Sequence, residues 1–400
     1  MKAGSFLAGL ALLAALPCGC QGPPRELARR PWVDAGRIAD GDAPATDLDA
    51  TADADTDASA IDAAADRGAH TDAAAIATDA GPTARTDAGA IDADAGGGPP
   101  RRDYTVVVLP DTQFYASSYP AIFEAQIGWI ADQRLQENIA FVLHEGDLVD
   151  SDDDAQWTVA AQSMSQLDGV VPYVVSMGNH DYGPAGDGWT MNRSTTIDTY
   201  FPVSKFSGWS WFQGTLDPQH IENNYALIDS PDGPWLVLSL EFGPRDVVLD
   251  WAADVLRAYP TTQAMLVTHA YLYEDSTRYD HVGRPDQRWN PHSYPIAAVA
   301  GAVNDGEEIW QKLILSHSNI QFVFCGHVID HGTGRLTSPR PDGTSVNQVL
   351  ANYQMLSLGG SGYLRLLRFS PVARTVHVQT YSPYLDAYLT DDANDFTLTY

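Results

Sequence analysis

Cysteine is scarce in this chain of 400 residues: there are three, and only one lies beyond the first twenty positions. Cys18 and Cys20 stand close to the N-terminus, whereas Cys325 stands alone in an apolar stretch. A single cysteine excludes an internal disulfide from the body of the chain, which must instead depend on a large apolar core. We expect Cys325 to be a small residue of that core.

Basic residues are also few, with 23 Lys and Arg against 52 Asp and Glu and a formal net charge of −29. This balance argues against a surface for duplex nucleic acid or another polyanion. The apolar run Phe6–Leu16 is too short to span a bilayer. Contact with a membrane is therefore expected only through an N-terminal anchor.

The first 22 residues have the layout of a secretory signal. Met1–Gly22 contains the basic Lys2, then an apolar run, and then the small residues Cys18, Gly19 and Cys20, which are typical of a cleavage site. Small Gly19 before Cys20 favours a bacterial lipoprotein signal acylated at Cys20, although Pro17 stands where that pattern has leucine. An ordinary cleaved signal peptide is the alternative. In both cases the mature protein is predicted to be exported.

Residues 23–100 have a composition unlike the rest of the chain. Between Asp34 and Asp94 there are fifteen Asp, no Glu and three Arg, so this stretch carries about twelve of the net negative charges. It has too few apolar residues to offset chain entropy, which predicts a disordered tether. A calcium-binding repeat is disfavoured because the Asp spacing is irregular. The folded domain is predicted to occupy 101–400.

The first part of this domain alternates between strand and helix patterns, and each strand ends at polar residues. This alternation is typical of a sheet whose ligands lie beyond the carboxyl ends of its strands. The predicted elements are strand Tyr104–Leu109, helix Phe123–Leu135, strand Ile139–Leu143, helix Ala155–Leu167 and strand Val170–Met177.

The second part is less regular, and two irregular segments, Tyr182–Glu222 and Tyr271–Ala302, are expected to form substrate-facing loops. Strands at the C-terminus predict a second sheet there. The predicted strands are Asn224–Asp229, Trp235–Leu240, Ala264–Val267, Ile320–Phe324, Val346–Leu350, Tyr363–Phe369 and Thr375–Thr380, and the helices are Val247–Tyr259 and Ile309–Ser316.

Five strand ends carry oxygen or imidazole groups, and none carries a thiolate. Each alone has another explanation, such as a helix cap or a core histidine. Together they suit divalent ions of the Mn, Fe, Zn or Ni type. The residues are Asp111 with Gln113, Asp147, Asn179 with His180, His269, and His327.

The order and spacing of these groups resemble the calcineurin-like metallophosphoesterase family across nearly the whole predicted domain. Asp111 matches the start of Asp-x-His, and Gly146–Asp150 matches Gly-Asp-x-x-Asp. Gly178–Asp181 matches Gly-Asn-His-Asp, His269 matches an isolated histidine, and Gly326-His327 begins Gly-His-x-His. The resemblance implies an α/β fold, a four-layer α/β/β/α sandwich of two mixed sheets, with two divalent metal ions at the strand ends.

The resemblance also implies a role for each residue. Asp111 would bind the first metal, Asp147 would bridge both metals, and the second metal would be bound by Asn179, His269 and His327. His180 would contact the phosphate or protonate the leaving oxygen, oriented by Asp181.

Two positions depart from the family pattern, and both belong to the first-metal half. Gln113 replaces the opening histidine, and Ile329 replaces the last one. An amide binds divalent ions less tightly than imidazole, so the first site is expected to be weak or empty unless Asp330 or His331 reaches it. The Asp-Thr-Gln opening is similar to that of an exported bacterial subgroup of the family.

These features predict a phosphoesterase that hydrolyses a phosphomonoester or phosphodiester by metal-activated water. A different hydrolase using one tight metal is one alternative, and a cell-surface binding protein with little turnover is another. His144 and Glu145 are expected either to hydrogen-bond to the metal ligands or to be buried as part of the strand, and not to bind metal themselves. His220, His281 and His292 lie in predicted loops without a partner pattern and are assigned no role.

Overall fold

The computed structural model describes residues 102–183, 188–299 and 301–400. The predicted signal Met1–Gly22 and the Asp-rich segment 23–100 lie outside the described residues, so export, lipid anchoring and the tether stay predictions of the sequence. Within the described part of the chain, every helix is too short or too polar to cross a bilayer.

Fourteen strands and eight α-helices make up the described residues, together with short 3-10 turns. The strands are β1 (Tyr104–Leu109), β2 (Ile139–His144), β3 (Tyr173–Val175), β4 (Phe212–Thr215), β5 (Asn224–Ser230), β6 (Gly233–Leu240), β7 (Gln263–Thr268), β8 (Ile320–Cys325), β9 (Thr333–Pro339), β10 (Ser345–Ala351), β11 (Leu364–Ser370), β12 (Thr375–Ser382), β13 (Ala387–Leu389) and β14 (Asp395–Thr399). The helices are α1 (Gln113–Ser118), α2 (Pro120–Gln133), α3 (Asp154–Met164), α4 (Ile197–Tyr200), α5 (Val203–Phe206), α6 (Asp246–Ala258), α7 (Gly306–Lys312) and α8 (Ser357–Gly360).

The strands form two mixed sheets of seven strands each. The first has the order β13-β12-β11-β1-β2-β3, with β14 also paired to β12, and the second has the order β4-β5-β6-β7-β8-β10-β9. Strands β1, β2 and β3 are parallel to one another, as are β6, β7, β8 and β10. The remaining pairs are antiparallel, so each sheet has a parallel group whose carboxyl ends lie on one side.

Alternate residues of the central strands pack into two different cores. Val106 of β1 and Met265 of β7 lie in the apolar layer between the sheets. Val107, the next residue of β1, lies in a larger core with Phe123 of α2, and residues of α6 and β7 join the same core. Burial on both faces explains why these strands read as continuous apolar runs. The layers confirm the predicted four-layer α/β/β/α sandwich of two mixed sheets.

Two predictions about the strands were wrong. The strand predicted at Val170–Met177 is reduced to β3, because the backbone N–H groups of Val170 and Val171 bond to the Leu167 carbonyl in a turn. The C-terminal strands do not form a sheet of their own. Strand β10 joins the second sheet beside β8, whereas β11 and β12 extend the first sheet from β1.

Two acidic side chains, the buried Glu241 and the half-buried Glu222, lie near the start of α6. Glu241 is fully buried, and Arg245 donates to its carboxylate at 2.8 and 2.9 Å. Burial opposes the ionisation of Glu241, but the charges of Arg193 and Arg245 outweigh it and hold the pKa of that carboxyl below its usual range. Glu222 is compensated less, because the charges of His220 and Arg193 offset only part of its burial. Burial and the charge of Glu241 raise the pKa of Glu222 to about 7.

This shift makes stability depend on pH. The folded state binds a proton at Glu222 more tightly than the unfolded chain, in which the pKa of this carboxyl is near 4.5. The free energy of unfolding therefore falls as the pH rises from about 4.5 to 7. We expect Glu222→Gln to raise the free energy of unfolding by about 1–2 kcal/mol at pH 8, with partial exposure of the carboxyl discounted, and to leave it unchanged at pH 4. Urea denaturation at both pH values measures the difference, and an equal effect at both would contradict this assignment.

Candidate metal centre

The carboxyl ends of the parallel strands from the two sheets meet at one edge of the sandwich. Asp111, just after β1, accepts the backbone N–H of His327, just after β8, at 3.2 Å. His269, at the end of β7, donates from Nδ1 to the backbone carbonyl of Glu145, at the end of β2, at 2.9 Å. These contacts join the first sheet to the second around a common centre.

Three side chains predicted from the sequence converge closely. Asp111, Asp147 and His269 are buried, and one ligand atom from each lies within 4.8 Å of the others. Nε2 of His269 faces Oδ2 of Asp147 at 3.1 Å. Two carboxylates and an imidazole nitrogen therefore surround a small volume, which is the donor set expected of a divalent-ion site.

The pKa values at this centre reflect burial and mutual charge. Burial and the charge of Asp147 raise the pKa of Asp111 to about 7. Burial also opposes ionisation of Asp147, but the charges of His269 and His180 outweigh it and keep the pKa of that carboxyl well below its usual range. Burial disfavours the charged form of His269, yet the adjacent Asp147 and Asp111 raise its pKa to about 9. These pKa shifts are those expected where two buried carboxylates lie beside one protonated imidazole.

His327 faces the same centre. Its ring centroid lies 4.9 Å from that of His269, and its Nε2 donates to the backbone carbonyl of Trp289 at 2.8 Å. Because Nε2 is used in this way, Nδ1 is the nitrogen left to bind a metal. Burial and the charge of His269 lower the pKa of His327 to about 3, so the ring stays neutral, as a ligand requires.

Two amide oxygens provide an independent test of whether the site fits metal ions. Oδ1 of Asn179 and Oε1 of Gln113 are buried, and neither has a hydrogen-bond partner among the described residues. Their amide nitrogens are used, since Asn179 donates to the Gly188 carbonyl at 3.0 Å and Gln113 donates to Asp150 at 3.3 Å. Buried acceptors are costly to leave unpaired, and a cation would satisfy both.

The backbone around Asp147 explains the glycines of the motifs. Asp147 has a φ of 51°, and Oδ1 of its carboxylate accepts the backbone N–H of His180 at 2.9 Å. A Cβ at Gly178 would lie 2.0 Å from that oxygen, and a Cβ at Gly326 would lie 2.1 Å from Oδ1 of Asp111. Only glycine lets the two carboxylates approach these turns so closely.

The predicted orientation of His180 by Asp181 is wrong. Nδ1 of His180 donates to the backbone carbonyl of Asp150 at 2.9 Å and lies 3.6 Å from the Asp150 carboxylate. Asp181 is fully buried, and it accepts the backbone N–H groups of Gly178 at 2.7 Å and Val149 at 3.1 Å. Asp181 therefore holds two ligand-bearing turns together, whereas Asp150 orients the histidine.

No further side chain from the turn after His327 joins Asp111 and Gln113 at the proposed first-metal site in the described part of the chain. Asp330 and His331 are exposed, and Asp330 pairs with Arg288. Neither replaces the histidine missing at Ile329. Sequence reasoning missed Asn352, which follows β10 and donates to Oδ2 of Asp111 at 2.8 Å. Asn352 could have been identified by the rule that applies to the other five strand ends, namely a polar residue directly after an apolar strand.

His144 and Glu145 are both buried beside the candidate ligands. His144 is buried, and its Nδ1 accepts the backbone N–H of Gly146 at 3.2 Å, which leaves Nε2 to donate to Oγ1 of Thr112 at 2.9 Å. Burial lowers the pKa of His144 to about 3. The neutral ring thus links the turn before Asp147 to the turn after β1.

The sequence matches the Calcineurin-like phosphoesterase family over residues 104–330, more than half of the chain. An uncharacterised protein of Bacillus subtilis (strain 168), YvnB, is 35% identical over 296 residues, which are 72% of this chain and 20% of that protein. The chain therefore spans about a fifth of the length of this relative.

Two solved structures are similar at low sequence identity. Purple acid phosphatase from yellow lupin (Lupinus luteus) seeds has a TM-score of 0.43 at 14% identity, over 75% of this chain and 54% of that chain. NAD nucleotidase of Haemophilus influenzae has a TM-score of 0.36 at 12% identity, over 72% of this chain and 49% of that chain. Both likenesses are weak at the level of whole chains, so they add nothing to the sequence match. On that match over residues 104–330, the chain belongs to the calcineurin-like phosphoesterase family, a family of phosphoric ester hydrolases.

Proposed function

We propose that this protein is a metal-dependent phosphoesterase that hydrolyses a phosphomonoester or a phosphodiester. The observation that supports it most is the convergence of Asp111, Asp147 and His269 within 4.8 Å, together with the buried oxygens of Asn179 and Gln113, which have no partner in the described part of the chain. A site with this charge and these donors has little use in an apolar core and suits two divalent ions.

The residues that would hold the metals divide into two groups. Asp147 would contribute to both ions, the first ion would also use Asp111 and Gln113, and the second would use Asn179, His269 and His327. Two bound ions would lower the pKa of a water nucleophile and neutralise charge on the phosphoryl group. The chain itself fixes the ligands through Asp181, Asn352 and the Trp289 carbonyl.

His180 is placed to handle the leaving group. Its side chain is 21% exposed, unlike the buried ligands, so a substrate can reach it. Nδ1 is occupied by the Asp150 carbonyl, which leaves Nε2 to hold or give a proton. A Cβ at Gly188 would lie 2.3 Å from Nε2, so the glycine keeps this nitrogen uncovered. Imidazole is suited to protonating a leaving oxygen near neutral pH.

We also propose that Gln113 is a genuine ligand of the first metal and marks the exported subgroup with Asp-Thr-Gln at the first motif. Its amide oxygen is buried and has no hydrogen-bond partner among residues 102–183, 188–299 and 301–400, and its nitrogen donates to Asp150. An amide is a weaker ligand than imidazole, so the first ion should be held less tightly than the second.

Hydrolysis of model esters by the full chain tests the proposal. We expect turnover of p-nitrophenyl phosphate or bis-p-nitrophenyl phosphate with added Mn²⁺, loss of turnover after chelation, and recovery when Mn²⁺ is returned. Metal content is measured on the same samples. Protein that carries at least one ion at the Asp147 centre, shown by its loss in Asp147→Asn, and hydrolyses neither ester would overturn the enzymatic assignment and leave only metal binding.

A further inference from the structure

A second group of metal-ligating side chains lies outside the catalytic centre. One ligand atom from each of His281, His292, Asp305 and Glu308 lies within 4.8 Å of the others. The two histidines come from the irregular segment Tyr271–Ala302, and the two carboxylates come from the start of α7. Asp305 is buried, whereas the other three side chains are between 24% and 35% exposed, so an ion could enter from solvent.

The geometry of the two imidazoles is unusual. Their rings are stacked with centroids 3.6 Å apart and planes 21° apart. Nδ1 of His281 lies 2.9 Å from Oδ2 of Asp305, and Nε2 of His292 lies 2.6 Å from Oε2 of Glu308. The rings therefore present nitrogen atoms side by side to a pair of carboxylates. This brings two nitrogen and two oxygen ligands together from three separate stretches of chain.

We propose that these four residues form a structural binding site for a divalent transition ion, with zinc the best match. Two imidazoles and two carboxylates are zinc ligands, and four protein ligands are typical of structural zinc. Calcium is disfavoured because it takes oxygen ligands in larger number. A divalent ion would also balance the two carboxylates. The site is separate from the catalytic ligands and does not depend on the proposed hydrolysis.

A network of hydrogen bonds without an ion is the competing explanation. Asp305 and Glu308 already form a capping box at the start of α7, with backbone N–H contacts of 3.1 Å in each direction. Asn290 also donates to Asp305 at 3.1 Å. The backbone N–H of His281 donates to Oδ2 of Asp305 at 2.7 Å, and each ring lies within hydrogen-bond distance of one carboxylate. These separate contacts do not require the two rings to stack against each other. A metal accounts for all four groups at once.

The site has a structural consequence for the catalytic centre. Trp289, whose carbonyl accepts from Nε2 of His327, has a φ of 60° and immediately precedes Asn290. A residue other than glycine in this conformation is strained and persists only when its neighbours hold it. An ion bound by His281, His292 and Asp305 would fix the segment on both sides of Trp289. It would thereby hold the Trp289 carbonyl in place and, through it, orient the ring of His327.

Zinc binding to a variant that lacks the catalytic centre tests the proposal. In full-length Asp147→Asn/His269→Ala, we expect one tightly bound Zn²⁺ per chain by elemental analysis. Adding His281→Gln and His292→Gln should remove it, because glutamine keeps an amide donor for the carboxylates but is a poor zinc ligand. His377→Gln, which alters a similar pair with Asp395 at 2.7 Å, is the matched control and should leave the zinc bound.

A second measurement needs no change at the proposed site. Co²⁺ added to Asp147→Asn/His269→Ala should give the visible absorption of a four-coordinate site, and excess Zn²⁺ should raise the melting temperature by roughly 5 °C. Absence of zinc from this variant, retention of zinc after the two glutamine substitutions, or a cobalt spectrum of the aqueous ion would each overturn the proposal. None of these outcomes depends on phosphoesterase activity.

Discussion

Asp147→Asn is expected to remove both turnover and metal binding at the centre formed by Asp111, Asp147 and His269. Asn can keep the left-handed backbone conformation, with φ of 51°, and its side-chain oxygen can still accept the N–H of His180. The charge between Asp111 and His269 is lost, however. We expect kcat/KM to fall by about 10³-fold or more, since a catalytic metal contributes several kcal/mol to the transition state. Elemental analysis and steady-state kinetics on the same sample measure both effects.

The control for this variant is Asp395→Asn. Asp395 also pairs with a histidine, His377, but it lies in β14 and not among the residues of the metal centre. Its substitution should therefore change neither metal content nor turnover. Normal kcat/KM in Asp147→Asn would show that the carboxylate is not part of the centre. Loss of turnover with full metal content would show that its role is not ligation.

His180→Ala is expected to separate turnover from metal binding. The ring of His180 contacts Asp150, and only its backbone N–H, which alanine keeps, contacts Asp147, so both ions should remain bound. Loss of a general acid should reduce kcat by about 10²–10⁴-fold for a poor leaving group. The loss should be smaller for p-nitrophenyl phosphate, because p-nitrophenolate needs little protonation. Rates for phenyl and p-nitrophenyl phosphates provide the comparison.

His220→Ala serves as the matched variant, because His220 is a more exposed histidine whose ring pairs with Asp198 at 2.7 Å. It should leave kcat unchanged with both esters. An equal loss for the two leaving groups in His180→Ala would point to phosphate binding in place of proton transfer. Loss of metal in that variant would contradict the placement of His180 outside the ligand set.

The sequence predicted which side chains meet at the sheet edge because they follow a simple rule. A parallel strand that is buried on both faces reads as an apolar run, and the polar residue that follows it lies at the sheet edge. Asp111, Asp147 and His269 were identified in this way. Asn352 obeys the same rule after β10, but it stands beyond the familiar motifs and was overlooked.

Other features could not be predicted because they depend on contacts between distant segments. The orientation of His180 by Asp150 depends on a backbone carbonyl, which no residue type reveals. The division of the C-terminal strands between two sheets depends on which edge each strand meets. The pairing of His281 with His292 requires a loop without periodic structure to fold back on itself.

Anomalous scattering from crystals of the Mn²⁺-loaded protein tests the metal centre most directly. We predict a strong peak between the carboxylate of Asp147 and Nε2 of His269, within bonding distance of both, and a second, weaker peak toward Asp111 and Gln113. Well-ordered side chains at Asp147 and His269 with no anomalous peak between them would contradict a metal-dependent centre.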